Sequence, residues 1–293
     1  MDQAEQLRNV MKKSQVTEQE NARVITITSG KGGVGKSNIA VNMAAQFRKM
    51  GKRVIIFDAD IGLANVEVLL GTSPKLHLGD LIFYKRKMSE IITEGPMNIG
   101  FISGGSGVSG ISNLSREQIS YLVTSLSELN SLTDIIIIDT GAGMSDSVME
   151  FLISSPEIIV VVTPDPTSMT DSYSLLKSLY KHPEFDRDGT KIEIITNRVS
   201  SEEEANLTYK KLNAVVAKFL QGRIEYMGMI PFDEELMNAV KNQKIVSMER
   251  ISAKSSRAFE SLASKLVYND TGKVQKRRGI SQIFSNLISR KLV

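Results

Sequence analysis

The 293-residue chain contains no cysteine and only two histidines. Without a thiol there is no structural disulfide, no thiolate nucleophile, no iron–sulfur ligation and no cysteine-bound zinc. His77 and His182 lie far apart in the sequence and make no metal site by themselves. Chemistry must therefore run on Lys, Asp, Ser, Thr and backbone amides. No stretch approaches the ~18 consecutive apolar residues of a membrane-crossing helix, and MDQAEQLRNVMKK at the start lacks the apolar centre of a signal peptide. The expected location is the cytosol, with any membrane contact peripheral. Acids are absent after residue 270, where six basic residues stand alone: Lys273, Lys276, Arg277, Arg278, Arg290 and Lys291. The preceding part holds the other 30 basic residues and all 33 acids, so a mildly acidic body carries a strongly basic tail.

Hydrophobic residues make up 41% of the chain and charged residues 24%, the usage of an ordinary globular protein with one large α/β domain and appendages. Apolar, β-branched runs predict strands at VITIT (24–28), RVIIFD (53–58), NIGFIS (98–103), DIIIID (134–139), EIIVVV (157–162), KIEIIT (191–196) and RIEYMGMI (223–230). Several are apolar at consecutive positions, as parallel strands covered on both faces are. Helical patterns at 37–50, 115–130, 167–180 and 202–220 separate them, which predicts a doubly wound, mostly parallel sheet. SGGSGVSG (103–110) lacks a following lysine and reads as a surface loop. The expected division is residues 1–21 as an N-terminal helix and linker, 22–268 as the α/β domain, and 269–293 as a basic linker with an amphipathic helix.

The first predicted strand runs into GKGGVGKS and then into a helix, the context a phosphate loop requires. Gly30, Gly32, Gly33, Val34 and Gly35 let backbone N–H groups converge on phosphate oxygens. The helix N-terminus adds partial positive charge, Lys36 neutralises phosphate, and the Ser37 hydroxyl suits Mg2+ ligation, with Asn38 following. The second strand ends in FDADIGLAN, where Asp58 and Asp60 alternate with Ala59 and leave the strand on one side. Asp58 suits an outer-sphere magnesium ligand and Asp60 the group that orients an attacking water. IIIIDTGAG closes the fourth strand on Asp139, a Walker B carboxylate, with Gly141 and Gly143 in a loop able to sense the terminal phosphate. Lys31 is surplus to a GxxxxGK[ST] loop.

KGGVGKS with Lys31, DADIGLANVEVLLG, IIIIDTGAG, ITNRV and IPFDEEL resemble the deviant Walker A ATPases of the MinD and ParA group over about residues 22–268. DADIGLAN resembles the MinD branch. The resemblance implies a Mg2+-dependent ATPase that cycles between ATP and ADP and forms an ATP-dependent homodimer. Lys31 would then be the signature lysine that reaches the partner subunit's phosphates, the alternative being a solvated loop lysine. Catalysis would rest on Lys31, Lys36 and Asp60, and the metal on Ser37, Asp58 and Asp139. Asn197 and Arg198, with Pro231, Phe232 and Asp233, would bracket adenine.

GISQIFSNLISRKLV sets Ile280, Ile283, Phe284, Leu287, Ile288 and Leu292 on one stripe, with KVQKRR before it and Arg290 and Lys291 after it. A terminal core helix would give such a stripe. Basic flanks without an acid favour a helix lying on an anionic membrane surface. A ParA-type DNA-binding tail would need no apolar face, so nucleic acid is not an expected partner. DQAEQLR (2–8) resembles the activator helix of the FlhG family, MinD-like ATPases that set flagellar number and placement. That resemblance implies contacts from Asp2, Gln3, Gln6, Leu7 and Arg8 to the signal-recognition-type GTPase FlhF, and flagellar switch (C-ring) components as further partners. Cell-division MinD-type and ParA-type partitioning ATPases are the alternatives.

Overall fold

The structure is a computed structural model that describes residues 21–60, 65–105, 114–268 and 279–291, with side chains up to residue 288. In chain order the elements are β1 (Arg23–Ser29), α1 (Lys36–Lys49), β2 (Val54–Ala59), α2 (Asn65–Leu70), α3 (Leu78–Tyr84), α4 (Met88–Ile91), β3 (Thr93–Glu94), β4 (Gly100–Ser103), α5 (Arg116–Leu132), β5 (Ile135–Ala142), α6 (Asp146–Ser154) and β6 (Glu157–Val162). They continue with α7 (Pro166–Lys181), β7 (Lys191–Val199), α8 (Glu202–Leu220), β8 (Glu225–Pro231), α9 (Glu234–Lys241), α10 (Val246–Glu249), α11 (Lys254–Tyr268) and α12 (Ile280–Lys291).

All seven strands expected from the sequence form, in one 8-stranded sheet of order β3-β4-β2-β5-β1-β6-β7-β8. The addition is β3, a two-residue edge strand antiparallel to β4 and too short to leave a periodic signal. Every other pairing is parallel. The chain moves from β1 toward β2 and β4 on one side, and later toward β6, β7 and β8 on the other. Such a reversal opens a crevice at the carboxyl ends of the central strands.

Alternation along each strand splits the core into two faces. Ile25, Ile27, Ile56, Ile137, Ile159 and Ile195 pack with α1 and α11. Val24, Phe57, Ile136 and Ile138 pack with α5 and α12, while Ile158, Val160 and Ile194 pack with α6, α7 and α8. Helix starts follow local chemistry: Ser115 with Gln118 forms a capping box on α5, Ser145 caps α6, Asp165 followed by Pro166 caps α7, and Ser201 caps α8.

The apolar stripe of α12 lies inside the body. Ile280, Ile283, Phe284, Leu287 and Ile288 are all buried against α5, α6 and the sheet. Phe284 meets Phe57 and Phe151 edge to face. In this arrangement the stripe is turned inward, as in a terminal core helix, and is not presented to a membrane. The helix forms with the expected periodicity, but the surface that covers its apolar face is protein, and each such side chain contributes roughly 1.5–3 kcal/mol on burial. Leu292 and the N-terminal residues Asp2, Gln3, Gln6, Leu7 and Arg8 lie outside the described residues.

Candidate nucleotide-binding site

The loop between β1 and α1 supplies the phosphate-binding geometry. Gly33 and Gly35 take φ of 75° and 98°, a backbone that side chains rarely adopt, and Gly35 directly precedes α1. No acid stands in the first turn of α1, so its positive end is left for an anion. Lys36 is 7% exposed and its Nζ lies 2.8 Å from Oδ1 of the fully buried Asp139 and 3.4 Å from Ser37 Oγ.

Asp139 is brought there by parallel pairing. Asp58 of β2 and Asp139 of β5 stand at matched register, so two acids from distant sequence end side by side beneath the cleft. Burial pushes the Asp58 carboxyl up to about 7, assisted by Asp139 and opposed by the Asp60 N–H and by Lys36. Burial also raises Asp139, against the pull of Lys36. Asp139 Oδ2 is buried without a hydrogen-bond partner. An orphaned buried carboxylate oxygen beside Asp58 and Ser37 fits a hard cation. The described residues hold no cluster of three or more His, Cys, Asp or Glu able to cage a metal alone.

A cleft of about 760 Å³ opens above these groups. It is lined by Gly32, Gly33, Gly35, Lys36, Ser37 and Asn38, by Asp60 and Gly141, and by Asn197, Arg198, Pro231, Phe232 and Asp233. Asp60 sits at the mouth of β2, its Oδ2 3.4 Å from Asn65 Nδ2 and its Oδ1 beside Gly141. Gly143 donates its N–H to Ser29 (2.9 Å), which ties the loop after β5 to the end of β1.

The remaining expected residues stand around the cleft rather than in it. Val34 is buried under the loop. Gly30 rests directly on the backbone of Asp171 and Ser172 in α7, leaving no room for a Cβ. Lys31 turns away from Lys36: its ammonium lies 3.0 Å from Asp165 Oδ2 and also donates to Thr167 Oγ1, with the side chain 38% exposed. The Lys31 hydrogen bond, with help from Thr167, holds Asp165 down to about 2. Asp233, at the cleft wall, also serves locally: Oδ1 caps α9 through Glu235 N–H (3.1 Å) and Oδ2 takes the N–H and hydroxyl of Ser255.

Sequence reasoning missed Asp165 and Thr167 as neighbours of Lys31, and Asn65 as a neighbour of Asp60. The Asp-Pro pair at 165–166 signals a helix cap, but nothing in one dimension pairs it with Lys31. It also missed an apolar extension of the cleft made by Val68, Leu69, Leu236, Met237 and Val240.

The CobQ/CobB/MinD/ParA nucleotide binding domain matches residues 25–246, which contain the phosphate loop, both acidic strand ends and the segments that end β7 and β8. This chain belongs to that family. Among relatives, the antiactivator FleN of Pseudomonas aeruginosa is 37% identical over 244 residues, 83% of this chain and 86% of that one. The flagellum site-determining protein YlxH of Helicobacter pylori is 33% identical over 295 residues, 98% of each chain. The septum site-determining protein MinD complexed with Mg-ADP from Pyrococcus horikoshii superposes with a TM-score of 0.65 at 22% identity, over 87% of this chain and 99% of that one. The doubly wound MinD/ParA fold expected from the sequence is therefore the fold observed.

Proposed function

We propose that this chain is an ATP-driven switch of the FlhG type that governs flagellar number or placement. YlxH, a flagellum site-determining protein 33% identical over 98% of this chain, supports that branch over cell division or DNA partitioning. ATP would bind with its phosphates on Gly32–Ser37 and its base between Asn197–Arg198 and Pro231–Phe232. Mg2+ would be held by Ser37, Asp58 and Asp139, where it neutralises charge on the phosphates. Asp60, beside Gly141, orients water for in-line attack.

The observation that carries this reading is the contrast between the two lysines. Lys36 is buried on Asp139, whereas the Lys31 ammonium stands partly exposed at the rim, paired with Asp165 instead of with the phosphate-side acids. A rim cation completes the site of a second copy closing face to face, coupling slow hydrolysis to assembly. The membrane step requires α12 to leave the body, because its apolar face is covered here. Paired tails of a dimer then bind anionic lipid where one tail binds weakly. The segment from Asp2 to Arg8 would stimulate FlhF, and the helical surface would meet flagellar switch components.

The deciding experiment is sedimentation of Asp60→Ala with ATP and Mg2+, alone and combined with Lys31→Ala, with liposome co-pelleting of the same samples. A dimer with ATP that Lys31→Ala abolishes supports the reading; a monomer throughout overturns it. Removing residues 1–20 should abolish FlhF stimulation and leave ATP hydrolysis intact.

A further inference from the structure

Asn197 ends the regular part of β7 and is 4% exposed. Its carboxamide is committed on two sides: Nδ2 donates to the Val34 carbonyl at 2.7 Å, and Oδ1 accepts the Arg198 N–H at 2.9 Å. Gly35 backs directly onto Nδ2, so that a Cβ there would overlap it. The Gly35 carbonyl in turn receives the Ile39 N–H at 3.0 Å, inside the first turn of α1. The peptide on which the phosphate loop turns therefore rests on a side chain delivered from β7, with β6 between β7 and β1.

This delivery is built into the backbone. The ladder between β7 and β8 slips between Asn197 and Val199, and Arg198 takes φ 59°, a left-handed conformation for a residue with a side chain. The slip lets the Arg198 N–H fold back onto Oδ1 and fixes which amide edge faces Val34. One Nδ2 hydrogen and one Oδ1 lone pair remain for a base.

We infer that Asn197 is a positioning residue for the phosphate loop: it holds the Val34–Gly35 peptide in the conformation that receives phosphate oxygens, whatever the base. The inference rests on the nucleotide-binding reading and assigns to the base-side asparagine a role at the opposite end of the ligand. Loss of the strut frees a glycine-flanked peptide and leaves the buried Val34 carbonyl unpaired, weakening binding of the polyphosphate itself.

The test measures calorimetric binding of Mg-ATP and of Mg-tripolyphosphate, which has no base, to the full chain. Asn197→Ala is compared with Thr196→Val, an equally buried neighbour whose hydroxyl meets Tyr226 and Gly228 instead of the loop. We expect Asn197→Ala to weaken tripolyphosphate about tenfold, and ATP by at least that factor, at unchanged stoichiometry. Amide exchange at residues 33–37 of the ligand-free chain should accelerate in Asn197→Ala and stay unchanged in Thr196→Val. Loss confined to ATP, with loop exchange unaltered, would make Asn197 a base reader only and overturn the inference. Equal loss in Thr196→Val would overturn it too, as a general softening of the sheet. If the wild type binds neither ligand, the nucleotide-binding reading falls first and the inference with it.

Discussion

The rings of Phe284 in α12 and Phe57 in β2 lie 5.3 Å apart, centroid to centroid, at an interplanar angle of 81°. The tail helix thus closes the core beneath the strand that carries Asp58. Phe284→Ala should cost about 3–5 kcal/mol, the usual penalty for emptying a buried aromatic site. Urea unfolding of the full chain measures it. An unchanged midpoint would place α12 outside the body in solution.

Lys36 and Asp139 form a buried pair with side-chain exposures of 7% and 0%. Lys36→Met should abolish nucleotide binding and destabilise the fold by about 3–5 kcal/mol, because it strands a buried carboxylate. Adding Asp139→Asn should restore most of that stability and none of the binding. A double-mutant cycle in denaturant separates the two effects.

Lys31 is held at the rim by Asp165 and Thr167. Asp165→Ser keeps a cap for α7 and removes the ion pair, so the lysine is freed for a second copy. Because the pair is exposed, the gain is small: ATP-dependent dimerisation should shift to a concentration lower by roughly two- to fivefold. Sedimentation velocity across a dilution series reads this directly, and the shift should shrink in high salt.

Two glycines of one loop should respond differently. Gly30→Ala drives a methyl into the Asp171–Ser172 backbone of α7 and should cost about 1–3 kcal/mol. At Gly32 the space that a methyl would fill has no neighbouring atom within 4 Å, so Gly32→Ala should leave the melting temperature unchanged while altering ligand binding. Thermal melts of the two variants side by side decide it.

Glu193 is 7% exposed, and burial raises its carboxyl above the ordinary glutamate range, with Lys191 opposing and Glu157 and Glu225 adding to the rise. A raised acid supports the fold fully below its unfolded pKa, and that support is lost as pH climbs through the folded value. Glu193→Gln should therefore melt above the wild type near about pH 8 and level with it near about pH 4. Melting curves that stay parallel across that range would show that folding leaves the acid's proton affinity unchanged.

Sequence alone determined the features that are local. Glycine spacing before Lys36 and Ser37, apolar runs long enough for a strand, and acids placed at strand ends by alternation each express a physical constraint among neighbouring residues. They located the phosphate loop, Asp58, Asp60, Asp139 and all seven principal strands. Only tertiary structure decided what lies across from what. The i, i+3, i+4 stripe of α12 has the same periodicity whether its cover is lipid or Phe57 and Phe151, because periodicity defines a face and never its partner. Lys31 meets Asp165, and Asn197 meets Val34, across 134 and 163 positions of chain. Contacts at that separation follow from strand order and register, which put distant carboxyl ends on one edge of the sheet.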